Sequence, residues 1–193
     1  MTGNKYVIHI NGSPRYNTMR KEMNSLYTGE YTVFNAIVDH NPKKGISESF
    51  KSIIEENYEE PFIHIFEDDV KFICSESREI FEDGFNKLPG DWDIYLGGSY
   101  TYDTRNVVNL GSLLKIKNFR SLHCVVIRKS AYDLFLSHDV SRVGNIDTWV
   151  ASHNPNVYLC NPQIAIQHDG YSYNMKKVAN HNIHLRDKNI HAG

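Results

Sequence analysis

The chain has 193 residues, of which 40% are hydrophobic and 23% charged, and its formal net charge is −2. That length suits one substantial core; no apolar run reaches the ~18–20 residues of a membrane-spanning helix, and Met1 to Tyr6 lack the apolar stretch of a secretory leader. Three scattered cysteines (Cys74, Cys124 and Cys160) exclude a disulfide framework and a structural zinc site, and are expected as reduced core residues of a cytoplasmic protein.

The charge is divided unevenly. Residues 1–100 carry 10 Lys/Arg and 17 Asp/Glu, a balance of −7, whereas residues 101–193 carry 11 and 6, a balance of +5, with 7 of the 10 histidines. The second half is therefore either an ordinary basic surface or one that meets an anionic partner.

In chain order, Tyr6 to Asn11 is a short apolar strand closed by a turn at Asn11-Gly12-Ser13-Pro14. Met19, Met23 and Leu26 recur at helical spacing. Tyr31 to Val38 is a second strand, Asp39 to Gly45 a loop, and Ser47 a cap for a helix burying Phe50, Ile53, Ile54 and Tyr58. A third strand, Pro61 to Phe66, runs straight into Glu67-Asp68-Asp69, and Val70 to Ile73 continues extended. Ile80, Phe81, Phe85 and Leu88 mark a helix stopped by Pro89-Gly90, and Asp93 to Leu96 is a fourth strand ending on Gly97-Gly98. Val107 to Ile116 reads as a hairpin or a mobile loop, His123 to Ile127 as a strand, and Ser130 as the cap of a helix holding Leu134 and Phe135. Asn145 to Val150 begins a short helix, two short strands flank Pro162, and residues 174–193 form a polar, basic tail. Strands alternating with helices at this spacing predict a single α/β domain over 1–193. Its Rossmann-like central sheet is mostly parallel, with helices on both faces.

The chemistry concentrates at Glu67-Asp68-Asp69. Adjacent carboxylates repel, and desolvation at a sheet edge raises the penalty. A divalent cation relieves both, since Mg²⁺ or Mn²⁺ takes one or two carboxylates and completes its shell from phosphates and water. Open α/β sheets also bind ligands beyond the carboxyl ends of their strands. A solvated acidic turn is the plain alternative.

The ordered motifs resemble the family 25 glycosyltransferases, the lipopolysaccharide- and collagen-type galactosyltransferase group. They are Ile8-His9-Ile10-Asn11 with Arg15, Ala36-Ile37-Val38-Asp39, Gly45 to Phe50, Glu67 to Val70, Asp91-Trp92-Asp93 to Gly97-Gly98, Cys124 to Leu134, and Ile146-Asp147. The resemblance covers roughly residues 5–170. Ile46 and Phe50 depart from the family's usual Cys and His, and the chain is shorter than most members.

The resemblance implies a GT-A fold and a UDP-sugar donor. Glu67, Asp68 and Asp69 would form a D-x-D-like site for Mn²⁺ or Mg²⁺, with Asp69 the direct ligand and His168 a third. Asn11, Ser13 and Arg15 would face the nucleotide or its phosphates, and Ala36 and Asp39 would line the base. Gly97 and Gly98 would allow close approach of the sugar. Asp147 would serve as general base for inverting transfer, with Asp93 a lesser candidate; Asp147 is equally read as an acidic residue complementing a helix N-terminus. The acceptor would be a saccharide. DNA carrying hydroxymethylated bases is a second acceptor class, with Lys115, Lys117, Arg120, Arg128, Lys129, Lys176, Lys177 and Arg186 on phosphates. Two further classes compete: a metal-dependent nuclease or phosphodiesterase, and a non-catalytic sugar-nucleotide or glycan binder.

Overall fold

The computed structural model describes residues 3–172 and 177–179. Strands β1 (Asn4–His9), β2 (Thr32–Asn35) and β3 (Phe62–Glu67) alternate with helices α1 (Tyr16–Tyr27) and α2 (Pro42–Glu56). After β4 (Val70–Phe72) come α3 (Ser77–Asn86), β5 (Ile94–Leu96), and the hairpin β6 (Val108–Asn109) and β7 (Leu113–Ile116). Then follow β8 (Cys124–Arg128), α4 (Tyr132–Leu136), α5 (Ile146–Ser152), β9 (Val157–Cys160) and β10 (Ala165–Gln167). A final pair, β11 (Gly170–Ser172) and β12 (Lys177–Ala179), is antiparallel. The expected basic tail over 174–193 otherwise lies outside the described residues.

The central sheet has eight strands in the order β2-β1-β3-β8-β5-β9-β7-β6. Six of the eight point one way; β8 and β7 run against them, which follows from the three parallel and four antiparallel pairings. Side chains alternate between the two faces with the strand period of two. Ile8, Ile63, Ile65, Ile94, Leu96, Val125, Ile127, Val157 and Leu159 meet α2, α4 and α5 on one face. Val7, Phe66, Tyr95, Cys124, Val126, Tyr158 and Cys160 meet α1 and α3 on the other. Burying each large side chain contributes about 1.5–3 kcal/mol, so both faces are driven shut.

Several local expectations are corrected. Asn41, not Ser47, caps α2: its side chain accepts the Lys43 N–H at 3.2 Å, and Pro42 occupies the first helical position. The loop expected over 39–45 thus becomes helix at Pro42, and Ser47 is buried against His138 Nδ1 at 2.6 Å. Ser130 caps nothing; it sits in a 3₁₀ turn and donates to Asp93 Oδ1 at 2.6 Å. Cys74 is exposed, while Cys124 and Cys160 are buried as expected. Residues 107–116 form the hairpin rather than a mobile loop.

The topology fixes where a ligand can sit. From β1 the chain crosses to β2 through α1 on one face, then returns over the other face through α2 to β3 on the far side of β1. Connections that leave in opposite directions open a crevice beyond the carboxyl ends of β1 and β3. Two devices bring further residues to that edge. Antiparallel β8 starts there, with the Glu67 N–H donating to the His123 carbonyl at 3.1 Å. Strand β10 pairs with β4 in a separate two-stranded sheet, placing Gln167 opposite Val70.

Candidate active site

The site is built from the turn after β1 and the acidic run after β3. Gly12 takes φ +78°, a region glycine enters without strain, and the Ser13 N–H closes the turn on the Ile10 carbonyl at 2.9 Å. Ser13 Oγ accepts the Arg15 N–H at 3.3 Å, and Arg15 stands at the head of α1. Its Nη1 reaches Asp68 Oδ1 at 3.0 Å and Asp69 Oδ2 at 3.2 Å. Asp68 Oδ2 pairs with His9 Nδ1 at 2.9 Å, which therefore carries the ring proton, and Asp69 Oδ1 accepts Gln167 Nε2 at 2.9 Å. Both aspartates are buried. A buried carboxylate needs such partners, and charge-assisted ones are the strong kind.

Glu67 completes the cluster from behind. Burial pushes its carboxyl well above the ordinary range; the charges of Asp69, Asp147 and Asp68 push it further, and Arg15 opposes them. Asp147, distant in sequence, is thereby placed within electrostatic reach of the triplet. Its Oδ2 accepts the Ser121 N–H at 2.9 Å and its Oδ1 the Thr148 N–H at 2.6 Å. It thus sits in the first turn of α5, as the helix-terminus reading anticipates. Burial raises the Tyr100 phenol as well, with Asp69, Glu67 and Asp169 adding to the effect.

A cleft of about 300 Å³ opens over this cluster, lined by Pro14, Arg15, Thr18, Asp68, Asp69, His168 and Asp169 among others. Other expected site residues lie in varied relation to it. Asn11 is exposed in the turn beside it. Ala36 is fixed at the end of β2 by its N–H on the His9 carbonyl at 2.9 Å. The following segment is pinned by the Ile37 N–H on Ser49 Oγ at 2.8 Å. There the backbone runs so close to α2 that a Cβ on Gly45 would lie 2.5 Å from the Ile37 carbonyl oxygen. Asp39 is held below the ordinary carboxylate range, first by the Asn41 N–H and then by Lys44. Gly97 and Gly98 are closely packed by the protein itself: a Cβ on Gly98 would collide with the Ala165 carbonyl oxygen, and one on Gly97 with the Cys124 side chain. Their small size is explained by that packing.

His168 donates its backbone N–H to the Asp69 carbonyl at 2.7 Å, but its Nε2 points to Glu22 Oε1 at 3.4 Å. Asp93 is at the opposite end of the sheet, where its oxygens accept Ser130 Oγ at 2.6 Å and the Asn156 N–H at 2.9 Å. Sequence reasoning missed His9, Gln167, Glu22 and Tyr100. A readable signal existed for His9 and Gln167, since each is polar in an otherwise apolar strand; Glu22 and Tyr100 reach the site by tertiary packing alone.

Among the described residues, no three His, Cys, Asp or Glu side chains form a closed metal centre. Two adjacent carboxylates opening on a cleft do fit Mg²⁺ or Mn²⁺, which take one or two carboxylates and leave the remaining positions to phosphate and water. Asp68 and Asp69 would be the residues to hold such an ion.

No family model and no curated protein matches the chain. Solved structures do. The protein A197 from STIV superposes with a TM-score of 0.55 at 14% identity, covering 93% of this chain and 95% of that chain. A glycosyltransferase involved in the glycosylation of the major capsid of PBCV-1 superposes with a TM-score of 0.51 at 8% identity, covering 83% and 82%. At such identities the likeness establishes the fold, a GT-A-type α/β architecture, and nothing of the chemistry. No helix among the described residues is long and apolar enough to cross a membrane.

Proposed function

We propose that this protein is a metal-dependent glycosyltransferase that moves a sugar from a nucleotide-sugar donor, a UDP-sugar by preference, to a saccharide hydroxyl with inversion. The observation that carries the proposal is the switch-point cleft, where Arg15 from the β1 loop meets Asp68 and Asp69 from the end of β3. A guanidinium suits a diphosphate, which it can grip with paired hydrogen bonds, and the two aspartates suit Mn²⁺ or Mg²⁺. When bound, the ion neutralises charge on the diphosphate as the sugar–phosphate bond breaks.

The remaining chemistry belongs to the protein. Ala36, Asp39 and the exposed Ile37 and Val38 beyond β2 offer a mixed polar and apolar surface for the base. Arg15 orients the diphosphate. Asp147 takes the proton of the acceptor hydroxyl as that oxygen bonds to the anomeric carbon, while the electron pair of the broken bond leaves with the nucleoside diphosphate. The ordered motifs of the family 25 resemblance support the same reading, and through it a saccharide acceptor. Three of the basic positions considered for DNA are committed locally: Lys115 to Asp91 at 3.1 Å, Lys129 to Glu59 at 2.9 Å, and Arg128 to the Gly90 carbonyl at 2.6 Å. Lys176 and Arg186 lie outside the described residues.

Incubation with UDP-, GDP- and CMP-sugars in Mn²⁺ tests the proposal. Slow donor hydrolysis that disappears in Asp69→Asn is expected. Cleavage of nucleic acid with every donor left intact would overturn it in favour of a nuclease. Tight donor binding without turnover would favour a binding protein. A salt-sensitive gel shift with duplex DNA would replace the saccharide acceptor by a nucleic acid.

A further inference from the structure

Asp68 and Asp69 have four carboxylate oxygens, and all four are matched by the protein itself. Asp68 Oδ2 is taken by His9 Nδ1 at 2.9 Å and Asp69 Oδ1 by Gln167 Nε2 at 2.9 Å. The two that remain, Asp68 Oδ1 and Asp69 Oδ2, are the two that Arg15 Nη1 bridges at 3.0 and 3.2 Å. His9 and Gln167 are fixed in β1 and β10 and are almost fully buried. Arg15 differs: its side chain retains 21% exposure, against 10% for each aspartate, and it springs from a loop at the head of a helix.

We infer that Arg15 is the resident counter-ion of the metal site and a competitor of the divalent cation. Its departure onto the donor diphosphate is what admits the ion, so that cation and nucleotide bind as a coupled pair. The inference rests on the proposed metal-dependent donor site. A guanidinium and a divalent cation compete for these two oxygens, because the positive charges repel at the few ångströms that would separate them and each lowers the charge left to hold the other. Without Arg15, two buried carboxylates face each other unneutralised, which the fold tolerates poorly. With Arg15 in place, an ion arriving alone must displace it into solvent. A diphosphate arriving with the ion gives the guanidinium a bidentate partner instead. By linkage, the cation strengthens nucleotide binding by the same factor as the nucleotide strengthens cation binding.

The test is Mn²⁺ binding followed by electron paramagnetic resonance, with and without UDP, in the wild-type chain, Arg15→Met, Arg15→Lys and Asp69→Asn. The wild type is expected to bind Mn²⁺ weakly alone, and on the order of tenfold or more tightly with saturating UDP, within the usual range of coupling. Arg15→Met should bind Mn²⁺ alone at least several-fold more tightly than wild type, bind UDP more weakly, and lose most of the coupling. Arg15→Lys keeps a charge without the planar fork and should fall between. Thermal melting supplies a second readout: Arg15→Met should melt lower than wild type in the absence of metal and gain more from added Mn²⁺. If Mn²⁺ binding needs Asp69 yet is unchanged or weakened in Arg15→Met, the inference is wrong and the metal site stands. If neither wild type nor Arg15→Met binds Mn²⁺, with or without UDP, both fall.

Discussion

The two ends of the central sheet handle their carboxylates in opposite ways. At the amino end of β5, Asp93 gives its oxygens to a neutral hydroxyl and a backbone amide, Ser130 Oγ and the Asn156 N–H. At the carboxyl ends of β1 and β3, Glu67, Asp68 and Asp69 are packed together with Asp147 near enough to raise Glu67 further, and one arginine offsets them. The first arrangement closes a loop and leaves nothing to be done. The second concentrates negative charge beside a cleft and leans on Arg15, His9 and Gln167 to hold it. An acidic residue in this fold is thus read by the end of the strand it occupies more than by its neighbours in sequence.

That contrast is sharpened by substitutions at each end. The largest effect is expected at Asp147→Asn: donor turnover in the presence of acceptor should fall by about 10²–10⁴-fold, the usual contribution of a general base. Nucleotide affinity, followed by calorimetry, should stay within about threefold, since the substituted amide cannot take the proton but touches no proposed donor contact. An unchanged rate would assign the base elsewhere. Next, Gln167→Ala removes the donor that orients Asp69 and should weaken Mn²⁺ binding in the presence of UDP by about 10–100-fold, as loss of an outer-shell partner does. Phe50→Ala, in the core between the sheet and α2, should cost about 3–5 kcal/mol in urea unfolding and leave Mn²⁺ affinity unaltered in the folded fraction. Phe50 stacks on Phe135 with ring centroids 6.0 Å apart. The smallest effect belongs to Asp93→Asn. It should lower stability by about 1–3 kcal/mol through one mismatched partner and leave turnover unchanged. A loss of turnover there with stability intact would dissolve the contrast between the two ends.

Much of this architecture was legible in the residues. The apolar runs of β3 and β8 and the 3.6-residue spacing of Met19, Met23 and Leu26 led to the right elements, and the helix–strand alternation led to a sheet with helices on both faces. Errors came where one local signal masked a stronger one: Asn41-Pro42 outcompeted Ser47 as the start of α2. The acidic triplet stood out because it comes straight off the apolar run of β3, and Arg15 because it lies in the loop between β1 and α1. Gln167 and Glu22 did not: strand β10 pairs with β4 across about a hundred residues of sequence, and Glu22 reaches the Phe72 N–H from α1 at 3.0 Å. Periodicity reports which face a residue occupies, and it is silent about which distant strand will lie beside it. Gly97-Gly98 shows the same limit from the other side, since a turn and a close packing contact leave the same trace in sequence.

On the proposed function, the cleft beyond β1 and β3 binds a nucleoside diphosphate through a cation held by Asp68 and Asp69. A calorimetric titration of UDP into the wild-type chain and into Asp69→Asn, each with Mn²⁺ and with chelator, tests it most directly. Mn²⁺ should strengthen UDP binding at least about tenfold in the wild type, within the ordinary range of coupling between sites, and not at all in Asp69→Asn. UDP affinity that is the same with Mn²⁺ and with chelator, and untouched by Asp69→Asn, would contradict it.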